Sequence, residues 1–482
     1  MTVLLILRTH YAGTFARVAQ AWRQRGHRPR LAALVADHAS LARFDENAFD
    51  MVWRLSDLVA RAEQDPAATE QGLEHIDQEV DGRLWELLYA DRTLAGWTAR
   101  PIERRAAALY RVLDGLYRQL DPQLVLVSET ALFYETLAVQ MARRRGIAVR
   151  VPVMARLPYH RLALVEGLDD RWLDLEENYC RLLADGLGSE DRRGVDKLLE
   201  DIRGRRLEPV YKAADRVWST LETRAREFDR LGEFLRMLYW YARGDRAGCH
   251  WDLGAVARRK AFRSFGYYRD KWAAPFEAPC PGERYVLFPL QVAAEVSVTL
   301  LGRYLGDQAG VAANIARALG PGVRLYIKET QGALGTRPPG FHRQLARLPN
   351  ARLIDPGADM HRLIEGSIGV VTISSTAGLE ALIFGRPVAL LGRACYGAFE
   401  EVARPGSFEE LGPLVRRWAR GGFGYSPRRL VFLAALLGST WPGQVYDPFY
   451  IPYTHSEENI GRLVDLMEAQ IDRLGSRRTA SV

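Results

Sequence analysis

Short apolar runs, each followed by a stretch of helical periodicity, recur along this chain and restrict it to an α/β fold built on parallel sheets. Val3 to Leu7 is continuously apolar, Thr14 to Arg25 has a helical pattern that Gly26-His27 ends, and Arg30 to Val35 is the next apolar run. A strand without polar alternation is buried on both faces, which crossover helices on either side of a parallel sheet provide. Leu124 to Val127 follows Asp121-Pro122 and leads to a helix from about Leu132 to Arg145 and a strand at Ile147 to Val151. The alternation is cleanest in the second half. Strands are expected at Tyr285 to Leu287, Arg324 to Ile327, Ala351 to Ile354, Gly369 to Ile373 and Pro387 to Leu391. Helices are expected between them at Gly310 to Leu319, Phe341 to Arg347, Met360 to Glu365 and Gly378 to Phe384.

A chain of 482 residues exceeds what one core normally supports. Two Rossmann-like domains facing a cleft are therefore expected, at 1–167 and 276–474, the latter including a closing helix at Glu457 to Leu474. Residues 168–275 have long helical periodicity and form a helical insertion or interdomain layer, in which Leu238-Tyr239-Trp240-Tyr241 belongs to a core. The Pro- and Gly-rich stretch Ala274 to Gly282 marks the boundary, and the polar residues 475–482 form a disordered tail. No internal repeat is visible.

The net charge of +7 does not point to nucleic acid, because only five of the 66 basic residues are lysine. Such a bias fits a GC-rich coding sequence, and no basic stripe interleaved with aromatics is present. The four cysteines form no CxxC pair and Cys249-His250 has no second pair near it, so neither a disulfide framework nor a zinc site is indicated and a reducing compartment fits. MTVLLILRTH lacks a basic n-region and a cleavage site, and no run is long enough to span a bilayer. The expected location is the cytoplasm, with a peripheral contact at the inner face of the membrane compatible with it.

In open α/β sheets ligands gather at the carboxyl ends of the strands. Four loops of the second half occupy such positions. In Thr372-Ile373-Ser374-Ser375-Thr376-Ala377-Gly378-Leu379-Glu380, helix amides and hydroxyls could cradle a phosphate and Glu380 could accept from a ribose; ordinary N-capping by Ser375 or Thr376 explains the same residues equally well. Lys328-Glu329-Thr330 places a lysine where it could neutralise a departing phosphate, or where it simply pairs with Glu329 at the surface. Gln291 and Glu295 follow Phe288-Pro289, and Asp359 and His361 are a helix cap and a surface polar residue as readily as site groups. In the first half, His10 follows the first strand and Ser128-Glu129-Thr130 a later one; Glu129 and Glu135 are the candidates for a general base acting on a sugar hydroxyl. The absence of HExxH, GxSxG and Walker motifs argues against metalloprotease, serine hydrolase and P-loop chemistry.

These loops, in this order, resemble the capsule polysaccharide biosynthesis/export family, which includes bacterial Kdo transferases of GT-B fold. The carrying segments are FPLQVAAE from Phe288, YIKETQG from Tyr326, IDPGADMHRLI from Ile354 and TISSTAGLEALIFGRPVALLG from Thr372, with weaker similarity at Pro442-Gly443 and Asp447-Pro448. The resemblance implies a GT-B-like glycosyltransferase that takes a sugar from a nucleotide donor, often CMP-linked, to a capsule or lipid-linked glycan acceptor. Positions matching the family's motifs assign Gln291, Lys328, Ser374, Ser375, Thr376, Gly378 and Glu380 to the nucleotide sugar, and Glu295 and Lys328 join Glu129 and Glu135 as catalytic candidates. No metal or other cofactor is expected, since no DxD stands at a strand end and Asp169-Asp170 falls in the helical region. Where the family carries a histidine-proline pair this chain has Thr330-Gln331, and its proline-glutamate pair is Ala294-Glu295. Loss of the histidine bears on donor identity and on activity. Two alternatives stay open: a catalytically silent glycan-binding or assembly subunit of envelope polysaccharide machinery, which the missing histidine favours, and a nucleotide-sugar epimerase or hydrolase on the same fold.

Overall fold

The computed structural model describes residues 1–26, 29–37, 40, 44–64, 68–94, 96–155, 157, 160–204, 235, 239, 242, 266–267, 269–421 and 426–479. Cys249-His250 and most of Leu238 to Tyr241 lie outside the described residues. Among the described residues twelve strands are numbered in chain order. The first six are β1 (Thr2–Leu7), β2 (Arg30–Val35), β3 (Met51–Arg54), β4 (Leu124–Val127), β5 (Ala148–Ala155) and β6 (Arg161–Val165). The rest are β7 (Tyr285–Pro289), β8 (Arg324–Lys328), β9 (Ala351–Ile354), β10 (Gly369–Thr372), β11 (Val388–Leu390) and β12 (Trp441–Pro442).

Two compact units are formed, one from Met1–Leu168, Glu200–Trp251 and Leu437–Val482, the other from Asp169–Leu199 and Asp252–Leu436. The first holds a seven-stranded sheet in the order β12-β6-β5-β4-β1-β2-β3 and the second a five-stranded sheet in the order β11-β10-β7-β8-β9. β1 to β5 run parallel, as do β7 to β11. β6 and β12 extend the first sheet antiparallel. Each unit thus has its first strand in the middle, with the second and third on one side and the fourth and fifth on the other. That is the Rossmann order expected from the alternation of apolar runs. The shared topology is a repeat that the residue sequence does not display.

Both faces of each sheet are covered, which explains the lack of alternation in β1, β4 and β7, all of whose central residues are buried. In the second unit Val286, Phe288, Leu325, Ile327 and Val371 pack with Ala312, Ile315, Val415 and Trp418 in one core. Gly369 is required there, because a Cβ would enter the Trp418 ring.

Three boundaries differ from the sequence reading. The closing helix, Glu457–Thr479, belongs to the first unit, where it packs on helix Thr9–Gln24, and it runs past Gly475 through the start of the expected tail. Its face buries Ile460, Leu463, Val464 and Met467, while Arg25 reaches Asp465 at 2.5 Å and the buried Arg150 of β5 donates to Gln470 at 2.7 Å. An amphipathic pattern states that a face is covered but not which sheet covers it. Second, the region read as helical begins with a turn: Asp169-Asp170 precedes helix Leu175–Asp185, and Asp170 has a left-handed φ of 55°. Third, residues 169–199 belong to the second unit. Among the described residues no helix is long and apolar enough to cross a membrane.

Leu463 is 1% exposed, so Leu463→Ala is expected to lower the unfolding free energy by about 2–5 kcal/mol in urea titrations. A loss below about 0.5 kcal/mol, the size of an ordinary surface substitution, would show that this helix is not docked on the first unit.

Candidate functional site

In each unit the loops of interest leave the first and fourth strands, whose crossovers diverge at the topological switch point. In the second unit these are the loops after β7 and β10. They are tied together by a reciprocal pair: Gln291 Nε2 donates to Ser374 Oγ at 3.1 Å, and the Ser374 amide donates to Gln291 Oε1 at 3.1 Å. Gln308 secures the first loop, accepting from the Gln291 amide at 2.8 Å and donating to its carbonyl at 2.9 Å. Ser374 Oγ also donates to the Ser297 carbonyl. Gln291 and Ser374 are thus brought together as expected, but their polar atoms close the loops on each other.

The next residues form the start of helix Thr376–Ile383. Ser375 is its N-cap and accepts from the Ala377 amide at 3.2 Å, while the Ser375 amide donates to Thr372 Oγ1 at 3.0 Å. Tyr396 donates to the Ser375 carbonyl at 2.6 Å, and its ring lies where a Cβ on residue 378 would fall, which fixes Gly378. The Thr376 hydroxyl, half-buried at the helix start, has no hydrogen-bond partner among the described residues. It stands with the positive end of the helix dipole, the arrangement that favours an anion. Glu380 is buried, with Oε2 3.7 Å from His361 Nε2, so the first and fourth loop clusters meet there. Asp359 caps helix Met360–Gly366 through the Arg362 amide. Glu295 is exposed at the N-cap of the short helix Val296–Thr299.

Lys328 and Glu329 are not the surface pair that the sequence allows. The Lys328 ammonium is buried and donates to the carbonyls of Pro356 at 2.9 Å and Glu329 at 3.2 Å, bracing the loops after β8 and β9. Glu329, fully buried, accepts from Arg337 Nε at 2.9 Å and Nη2 at 2.8 Å and from the Thr330 amide at 2.8 Å, with His342 Nε2 at 2.9 Å. Asp270, also buried, lies 3.7 Å from His342 Nδ1 and accepts from the Gly335 amide. Burial would raise the Glu329 carboxyl, but the hydrogen bonds from His342 and Arg337 and the Arg337 charge outweigh it and hold the pKa below the ordinary value. Thr330, which replaces the family histidine, donates to the Leu290 carbonyl at 2.7 Å and so joins the loops after β7 and β8. No spacing in the sequence connects Asp270, Arg337 and His342, so their convergence around Glu329 has no local signature.

In the first unit the junction of β1 and β4 is closed by charge. Arg8 donates to Glu135 Oε1 at 2.7 Å and pairs with Glu129. Glu135 is fully buried, and its Oε2 accepts from the Ala131 and Leu132 amides, each at 2.9 Å. Burial pushes its carboxyl up; Arg8 opposes this, Glu129 adds to it, and the pKa stands at about 7. A fully buried carboxyl occupied by Arg8, the two amides and the Tyr134 hydroxyl at 3.3 Å cannot reach an acceptor hydroxyl, so Glu135 is a helix-start anchor and not the base expected. Glu129, with 39% of its side chain exposed, remains accessible. Two further residues stand here outside the sequence candidates: Arg8, whose signal in the sequence is a charge directly after an apolar strand, and Thr9, whose φ of 50° is strained for a β-branched residue. His10 follows, with Nε2 3.2 Å from the Val445 carbonyl; burial lowers its pKa, against the nearby Asp447 carboxylate.

Comparison with known proteins bears on the second unit. Residues 264–403 match the sequence profile of the family described as capsule polysaccharide biosynthesis protein, so the resemblance seen in the loops from Phe288 to Gly392 holds over that segment. A curated relative, Protein FixF of Sinorhizobium fredii (strain NBRC 101917 / NGR234), is 32% identical over 127 residues, which make up 25% of this chain and 29% of that protein. The matched region therefore spans less than a third of that relative's length. Among solved structures, the beta Kdo 2,7 transferase of Thermosulfurimonas dismutans KpsC is 14% identical with a TM-score of 0.38, over 74% of this chain and 89% of that one. The UDP-GlcNAc 2-epimerase of Neisseria meningitidis is 11% identical with a TM-score of 0.26, over 91% and 99%.

The Glu329 network sets a pH dependence. Its carboxylate contributes stability that is present above the ordinary carboxyl value of 4.5 and is lost as pH falls through the depressed folded value. Glu329→Gln should remove that acid-dependent loss and, by leaving Arg337 buried without a countercharge, cost about 3–5 kcal/mol at neutral pH. An unchanged slope of stability below pH 4.5 in the variant would contradict this account.

Proposed function

We propose that this chain is a glycosyltransferase that moves a sugar from a nucleotide donor to a capsule or other surface-glycan acceptor, working in the cytoplasm or at the inner face of the membrane. The observation that carries the reading is the family match over 264–403, which coincides with β7 to β11 and the loops at their carboxyl ends. The start of helix Thr376–Ile383 is assigned to the donor phosphates, through the amide end of the helix and the Thr376 hydroxyl, with Ser375 and Gly378 holding the turn in shape. Gln291 and Ser374 are positioning residues, because their polar atoms bond to each other. Lys328 likewise positions the loop after β8, and Glu380 is assigned to the ribose end of the nucleotide. Charge developing on the departing phosphate is met by these groups, with no step assigned to a metal.

In the first unit Glu129 and His10 are the groups suited to take the proton of an acceptor hydroxyl. One is an accessible carboxylate beside Arg8; the other is an imidazole whose lowered pKa keeps it neutral, and so able to accept a proton, near pH 7. A second reading, a silent glycan-binding subunit, is favoured by one observation: the lysine available for phosphate neutralisation is bonded to two backbone carbonyls.

Thermal unfolding against CMP, UDP, GDP and their sugar conjugates separates these readings. A nucleotide at about 100 times its Kd is expected to add about 2.7 kcal/mol of stability. Ser375→Ala combined with Thr376→Val should abolish that shift without unfolding the protein. Product analysis with the stabilising nucleotide sugar then distinguishes transfer from release of free sugar or epimer. No stabilisation by any nucleotide would overturn the transferase reading in favour of the silent subunit.

A further inference from the structure

A cavity lies inside the second unit, at the carboxyl end of β11. It has a volume of about 450 Å³, within the range of small-molecule sites, and is walled by Trp172, Asp169, Arg171, Arg393, Cys395 and Arg404. The wall is built from two directions. Gly392 donates from its amide to the Ile373 carbonyl at 2.8 Å, which sets the segment leaving β11 against the loop after β10. Asp170, in its left-handed turn, accepts from the Cys395 amide at 3.0 Å and from the Trp172 indole at 3.2 Å, pinning residues 169–172 over the same segment.

The charges lining this cavity do not cancel. Arg171 is engaged by Glu176 at 2.7 Å. The guanidinium groups of Arg393, half-buried, and Arg404, exposed, make no hydrogen bond or ion pair with any described residue. The buried Arg8, Arg150, Arg337 and Arg429, by contrast, are each ion-paired. Two unpaired planar forks in a concave wall are suited to a carboxylate or phosphate. The Asp169 carboxylate, also without a hydrogen bond to a described residue, supplies an acceptor for hydroxyl groups, and the Trp172 ring adds an apolar surface.

We propose that this cavity is a subsite for an acidic saccharide, whose carboxylate or phosphate is held by Arg393 and Arg404 and whose hydroxyls are met by Asp169. It stands apart from the nucleotide assignment at Thr376 and survives if that assignment fails. Isothermal titration of the full chain with glucuronate, glucose 1-phosphate, orthophosphate, CMP and glucose tests it. Glucuronate or glucose 1-phosphate should bind at least about tenfold more tightly than glucose or orthophosphate, and the sugar that binds better identifies the anionic group. Arg393→Gln combined with Arg404→Gln should weaken that binding by about tenfold or more. Both side chains lie at or near the surface, and an unchanged circular dichroism spectrum checks that the fold is kept. Ser375→Ala with Thr376→Val should leave acidic-sugar binding in place while removing nucleotide binding. The proposal is overturned if no acidic sugar binds, if glucose or orthophosphate binds equally well, if the double arginine variant binds as the parent does, or if CMP competes for the site more tightly than either acidic sugar.

Discussion

A parallel sheet whose first strand lies in its middle has one place where neighbouring crossovers part, and the strand ends there must be satisfied by something other than secondary structure. Each unit of this protein closes that place with side chains from the loops themselves. In the second, the amide of Gln291 and the hydroxyl and backbone of Ser374 form a neutral reciprocal pair. In the first, Arg8 is held between Glu129 and Glu135. The same topological problem has a polar but uncharged answer in one sheet and an ionic answer in the other. Residues near these closures are consequently precise in position, and fewer of them are left to meet a ligand than their location suggests.

Burial decides which of the charged residues are structural. Taking an ion out of water is costly unless partners replace its hydration, and the groups that are most deeply buried here are also the most completely partnered. Glu329 has Arg337, His342 and the Thr330 amide; Glu135 has Arg8 and two helix-start amides. Lys328 follows the same rule with backbone carbonyls. By contrast Thr376, Glu129, Arg393 and Arg404 retain access to solvent or lack a complete set of partners, and most of the recognition chemistry is assigned to these groups.

Much of the fold was legible in the sequence because burial on both faces leaves a mark at every strand position. β2, β4 and β9 occupy the spans that their apolar runs predict, and β1, β7 and β8 differ by only a residue or two at an end. β3, at Met51–Arg54, was not legible: its residues are only partly buried and it ends in arginine, so no continuous apolar run announces it. The antiparallel pair of β6 with β12 was hidden for another reason. It joins residues 161–165 to residues 441–442, and a pairing over that separation has no local signature.

The sequence by itself determined the class of the protein. Its apolar periodicity required parallel sheets, and the small and hydroxyl residues from Thr372 to Gly378 identified the loop that matches the capsule polysaccharide family. Which candidates still have free chemistry was decided only by tertiary structure. Hydrogen-bond donors and acceptors from distant segments compete for the same side chains: His342 and Arg337 take Glu329, Pro356 takes Lys328, and Gln291 takes Ser374. A motif records residue types at a spacing, whereas the availability of a polar atom depends on what else the fold brings within 3 Å of it.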